Sequence, residues 1–209
     1  MHEFLKRTIA EHRTIAVIAI AIALATMGAL AQAPAGAWQA ADGDIAVLCP
    51  LTVGGSFEAR TTALAGRLAI DQSQPGALAG ELQVDLQTLD SGIGLRNTHL
   101  REKYLEVGKG AGFDRAVLSD IVVSGADLAG GSGKGRFKGT LSLHGTRKPI
   151  AGEVRLTPAG DHVKVDATFQ VQLPDFGIAE PRYLGVGVRD QVQVRARFVA
   201  KADASGSTR

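Results

Sequence analysis

Cysteine is nearly absent: Cys49 is the single thiol of the 209-residue chain, so no disulfide can form within it. It stands in the apolar stretch Ile45–Pro50, where a thiol serves as a small buried hydrophobe rather than as a reactive group. Aromatic residues are scarce too, at 5%, while glycine reaches 26 residues, a balance that suits many turns and strands better than a helical bundle. Excess charge is also missing. Lys and Arg number 23 against 21 Asp and Glu, for a formal net charge of +2. That excess is too small to mark a phosphate-neutralising surface, and nucleic acid is set aside as a partner.

Only one long apolar run occurs, from Ile15 to Leu30, behind the cations Lys6, Arg7 and Arg13. Small-x-small patterns follow it at Ala29-Leu30-Ala31 and Ala31-Gln32-Ala33. This order predicts a secretory signal over residues 1–31, cut after Ala31 or Ala33, and a periplasmic or secreted mature protein. An uncleaved anchor is the rival, but the run is about 16 residues against the roughly 20 of a spanning helix. No cysteine opens the cleaved product, so a lipid-modified terminus is not indicated. Residues 32–43, rich in Ala, Gly and Gln, read as a flexible lead-in, 44–200 as one folded domain and 201–209 as a flexible tail.

Within that domain, apolar and polar residues alternate with period two, which on a pleated strand sends one set to each face. Arg136–His144 is the clearest case: Phe137, Gly139, Leu141 and Leu143 interleave with Lys138, Thr140, Ser142 and His144. Leu82–Leu86, Val163–Val171 and Val192–Phe198 alternate in the same way, and Ile45–Leu48, Ser56–Thr61, Ala63–Ile70, Arg115–Ser124 and Ile150–Leu156 do so more weakly. Turn formers such as Gln74-Pro75-Gly76 and Pro158-Ala159-Gly160-Asp161 separate them. Leu95–Leu105 instead has helical spacing and predicts one short helix, capped by Asn97 or Thr98. The fold class is therefore all-β. Strands with one apolar face pack as two sheets or close into a barrel, and pattern alone leaves open whether such a barrel is filled by its side chains or holds one ligand.

Groups that carry chemistry are not assembled. His2 and His12 fall in the signal, and His99, His144 and His162 lack metal-ligand spacing; His144, on the polar face of its strand, and His162, in a turn, are expected to be surface or turn residues. Gly130–Gly135 resembles a phosphate loop only in composition: Lys134 is followed by Gly135, and strands flank it where a phosphate site needs a helix N-terminus. No Gly-x-Ser-x-Gly elbow occurs, and Asp85 and Asp166 lie on polar strand faces, away from any shielded pocket that acid–base work requires.

Three segments in order resemble the YceI-like family. Leu89-Asp90-Ser91-Gly92-Ile93-Gly94-Leu95-Arg96-Asn97-Thr98-His99-Leu100 is similar to its strand ending in an Asp-Thr-Gly turn before a helix with an Arg and a His-Leu pair, with Ser91 in place of Thr. Gly139–Ile150 is similar to its Leu-x-Leu-His-Gly-Val-Thr-Lys-Pro-Val hairpin, with Thr146-Arg147 for Val-Thr. Phe169–Ile178 with Gly185–Phe198 is similar to its last hairpin, entered through an Asp-Phe-Gly-Ile turn. Val47–Phe57 departs from the family's first strands, which marks a divergent branch.

The resemblance implies an eight-stranded, lipocalin-like antiparallel β-barrel with one short helix. It implies an exported protein, not an enzyme, holding a polyisoprenoid of the quinone or polyprenyl phosphate type, or a similar apolar chain. No cofactor is required; the partner is that lipid, a nearby membrane is compatible with it, and a homodimer is left open. The expected lumen residues are Leu82, Val84, Leu86, Phe137, Leu141, Leu143, Val165, Phe169, Val192, Val194 and Phe198. His99, Leu100, Arg101, Tyr104 and Arg182, with Lys103 and Arg189, are expected to rim the mouth and meet a head group. The alternative is an envelope interaction or stress-response module with a packed barrel and no ligand.

Overall fold

The computed structural model describes residues 37–183 and 186–202. The expected signal over 1–31 lies outside them. The strands are β1 (Ala37–Pro50), β2 (Ser56–Thr61), β3 (Leu64–Ile70), β4 (Ala77–Asp85), β5 (Arg115–Ser124), β6 (Gly133–Leu143), β7 (Thr146–Ala159), β8 (His162–Gln172), β9 (Arg182–Tyr183), β10 (Val186–Gly187) and β11 (Gln191–Ala202). All but β9 and β10 form one antiparallel sheet in the order β11-β8-β7-β6-β5-β4-β3-β1-β2, and pairing of β1 with β11 closes it into a ring. β2 pairs with Ile45–Pro50 of β1 and β3 with Ala37–Gln39, so these two short strands act as one bent strand and the barrel has eight walls. Closure gives β1 and β11, which would otherwise be edges, a strand partner on each side.

The period-two pattern sets the inside of this ring. On β6, Phe137, Gly139, Leu141 and Leu143 are buried while Arg136 and Lys138 face water. Register shifts at Ala41/Asp44, Leu78/Leu82 and Ser119/Val122 bend β1, β4 and β5, which a closed sheet needs to curve. At the first shift only a glycine fits, since a Cβ on Gly43 would stand 2.6 Å from that of Leu64. The β6–β7 turn consists of His144 and Gly145, both at positive φ (50° and 71°), the geometry that matches the twist of a two-residue hairpin.

Three expectations are corrected. The lead-in over 32–43 is strand from Ala37 onward, where Trp38 and Ala40 pack with Phe198 and Ala200; its inward positions include small residues, so the alternation does not stand out in the sequence. β11 likewise runs through Lys201 and Ala202 into the expected tail, because closure on β1 pairs Trp38 with Ala202. The single helix over Leu95–Leu105 is a short α-helix, α1 (Gly94–Thr98), continued by a π-turn over His99–Tyr104, in which Leu105 N–H bonds the Leu100 carbonyl. Neither Asn97 nor Thr98 caps it. Asn97 joins Ser91 to Asp90, and Thr98 donates back to the Gly94 carbonyl.

The interior has two ends. Far from α1, Leu68, Leu78, Ile121, Val123, Phe137, Val154 and Leu156 fill the barrel. Phe137 and Phe169 meet edge to face at 5.8 Å across Gly152, which pairs with both and leaves them room. A Cβ there would collide with the Thr168 carbonyl, the Phe137 ring and the Phe169 Cβ. Gly152→Val is therefore expected to lower unfolding free energy by about 1–3 kcal/mol through overpacking, read from the denaturant midpoint; an unchanged midpoint would show that the two rings do not constrain this position.

Candidate ligand cavity

Above that aromatic floor, the half of the barrel nearer α1 is not filled. It holds a cavity of about 580 Å³, within the roughly 300–1,000 Å³ of small-molecule sites. Its walls are the inward residues of the ring: Ile45, Val47 and Cys49 of β1, Phe57 and Ala59 of β2, Leu82 and Val84 of β4, Leu118 of β5, Leu141 and Leu143 of β6, Phe169 and Val171 of β8, and Val192, Val194 and Phe198 of β11. Burial pushes the Cys49 thiol up to about 12, so it stays protonated and serves as one more apolar wall group.

Two connections roof this end. The β4–β5 connection brings Ile93, Leu95, Arg96, His99, Leu100 and Tyr104, and the β8–β11 connection brings Pro181, Arg182, Val186 and Val188. Ile93 and Leu95 line the cavity and yet are 50% and 55% exposed, so the opening runs beside α1. Tyr104 ties the connections together: its hydroxyl accepts from Arg182 N–H and donates to the Arg182 carbonyl, both at 3.0 Å. The π-turn makes this contact possible by inserting an extra residue that turns Tyr104 toward the other connection while Leu105 enters the core.

His144 makes a second tie. Its ring reaches the Phe176 carbonyl through Nδ1 at 2.9 Å and Glu106 Oε2 through Nε2 at 3.0 Å. The side chain is 11% exposed, with Phe113 edge-on at 4.8 Å. His144 is thus a turn residue, as the sequence allowed, but not on an outward polar face: positive φ aims its side chain inward between the two roof segments. His162, expected in a turn, opens β8 and bonds Asp161.

Of the expected lumen residues, Leu82, Val84, Leu86, Leu141, Leu143, Phe169, Val192, Val194 and Phe198 line the cavity. Phe137 and Val165 do not; they border a void of about 90 Å³ at the far end. Their strands cross the whole barrel, and alternation tells which face a residue takes but not its height. At the mouth, His99, Leu100, Tyr104 and Arg182 line the opening. Arg101 does not, because its Nε and Nη2 donate to the Leu89 carbonyl at 3.0 and 2.5 Å and fold the connection back on itself. Arg189 Nε donates to the Leu51 carbonyl at 3.3 Å, and Lys103 lies over the Tyr104 ring at 5.4 Å. Sequence reasoning missed Arg96, Phe57 and the β1 wall. The alternation of Val47, Cys49 and of Phe57, Ala59 was the available signal; nothing in sequence pairs Arg96 with Phe57. Among the described residues, no three His, Cys, Asp or Glu gather as a metal site.

An antiparallel barrel of eight strands with one apolar chamber under a helical roof belongs to the class that encloses a single small apolar ligand. The sequence pattern of the YceI-like domain matches residues 44–200, and the chain belongs to that family. Solved structures of the same fold include a polyisoprenoid binding domain from Saccharophagus degradans, 17% identical over 80% of this chain and 99% of that one, with a TM-score of 0.61. BcnA of Burkholderia cenocepacia is similar at 16% identity over 76% and 96%, with a TM-score of 0.59. No curated protein matches the chain.

The Lys109 ammonium, bonded at 2.8 Å, together with His144 holds the Glu106 carboxyl below its usual range. A depressed carboxylate stabilises the fold above its unfolded pKa, and that contribution is lost as pH falls through the folded value. Glu106→Gln is expected to flatten the acid limb of a melting-temperature profile below about pH 5; a limb identical to the wild type would show that the tie contributes nothing there.

Proposed function

We propose that this protein is a carrier that acts outside the cytoplasm and holds an apolar chain of polyisoprenoid type in the upper half of its barrel. The observation that carries the reading is the chamber itself: about 580 Å³, walled by aliphatic and aromatic side chains and open beside α1. Withdrawing an apolar chain from water yields roughly 25 cal/mol per Å² of buried area and needs no reactive group. The similar fold of the Saccharophagus degradans polyisoprenoid binding domain supports the same ligand class. The packed-barrel alternative fits only the far end, where the aromatic floor and its neighbours fill the space.

The reading is non-enzymatic. The cavity's thiol is held protonated, and the Tyr104 hydroxyl is engaged at the roof by the backbone of Arg182. Export rests on the signal pattern of residues 1–31, and it is expected that mature protein recovered from its native host begins at Gln32 or Pro34 by N-terminal peptide mapping. A chain recovered with its first 31 residues intact would contradict it.

Binding is tested with a prenyl quinone of short chain. Wild type is expected to take it up at one site with a rise in melting temperature. Val194→Trp, which puts an indole into the chamber at a position paired with Val47, is expected to weaken uptake at least tenfold, about 1.4 kcal/mol. Equal uptake by the variant would place the ligand elsewhere, and no uptake by either protein would overturn the reading.

A further inference from the structure

We infer that the cavity is made for an apolar chain that ends in an anion, a phosphate or a carboxylate, and that Arg96 receives that end. The inference rests on the carrier reading above and narrows its ligand class.

Charge on the chamber's lining is of one sign. Among the described residues, Arg96 and Arg182 line it, and no Asp or Glu does. Four other cations at this end are engaged, and Lys103, over the Tyr104 ring, does not line the chamber. Arg182 is held by Glu180, with Nε and Nη2 at 2.9 and 2.5 Å from one carboxylate oxygen. Lys109 is held by Glu106, Arg101 by the Leu89 carbonyl and Arg189 by the Leu51 carbonyl. Arg96 differs. Its guanidinium carbon lies 4.2 Å over the centroid of Phe57, and among the described residues no carboxylate pairs with it.

The pleat of β2 explains the missing partner. Phe57 points into the barrel and Glu58 out of it, where Arg60 binds it at 2.6 Å. Asp90, the acid preceding α1, is taken by Gly92 N–H and Asn97 Nδ2. The Phe57 face attracts the cation but offers no oxygen to its fork of N–H donors, so an oxyanion entering along the chamber's axis finds both charge and donors ready. The charge of Arg96 reaches the wall, where it opposes the upward push that burial exerts on the Cys49 thiol. Beside an apolar chamber such a charge is screened less than on an open surface, and a charge-assisted bond there favours an anionic end over a neutral one.

The test compares farnesyl phosphate with farnesol, and palmitate with hexadecanol, by calorimetry on the mature protein. An anion is expected to bind at least about tenfold more tightly than its alcohol, as one charge-assisted bond implies, and whichever pair shows the larger preference identifies phosphate or carboxylate. Arg96→Gln is expected to abolish that preference while leaving alcohol affinity intact, which also reports that the variant is folded. Arg96→Lys is expected to keep part of it, and added salt to weaken only the anions. Equal affinity of anion and alcohol in the wild type, or parallel loss of both in Arg96→Gln, would overturn the inference while leaving the carrier reading standing. Failure of all four compounds to bind would instead overturn the carrier reading, and this inference with it.

Discussion

Everything in this molecule depends on the closure of β11 onto β1, from Trp38–Ala202 to Leu48–Gln193. A ladder of one-faced strands has to hide its apolar face, and once the two end strands pair, that face becomes the inside of a cylinder whose width is fixed by strand number. Side chains of ordinary size then fill the ring only where large ones converge. Around the Phe137–Phe169 pair they do. Nearer α1, inward positions are mostly Val, Ala and Leu, with Cys49 and Phe57 among them, and the same ring encloses open space. One geometric constraint thus produces a solid end and a hollow end from a single pattern.

The hollow end is stable because its roof is tied down by polar bonds. Tyr104 to the Arg182 backbone and His144, from the β6–β7 turn, between Glu106 and Phe176 fasten the β4–β5 and β8–β11 connections to each other and to the barrel, while Arg101 on the Leu89 carbonyl folds the first of them back on itself. These bonds add to the apolar packing of Leu105, Val107, Phe176 and Ile178, which roots the two connections in the core. Leu95 and Ile93 are left lining an opening and half in water, where an apolar chain can pass between solvent and chamber.

Much of this was legible in the sequence. Alternation in Arg136–His144 and Val163–Val171 marks the strands and their inward faces, and the segments around Asp90–Leu100 and Leu141–Ile150 carry the family resemblance. Height along the barrel was not legible, because period two is the same at floor and mouth; Phe137 and Val165 were therefore expected in the chamber and lie below it. Nor were the long-range polar ties. His144 reads as an outward strand residue until a left-handed turn redirects it, and Arg101 reads as a rim cation until a carbonyl 12 residues earlier in the chain takes it. Ala37–Gly43 read as a lead-in because alanine and glycine hide a strand whose evidence is its partner, β11.

The account's central claim is that the chamber holds an apolar chain in the protein's working state. Native mass spectrometry of the mature protein, purified without detergent from its own host, tests it most directly, with organic extraction to identify what is released. The account predicts a stoichiometric mass increment that extracts as a long-chain prenyl or similar lipid. A single peak at the mass of the bare polypeptide, unchanged after exposure to host lipids, would contradict it.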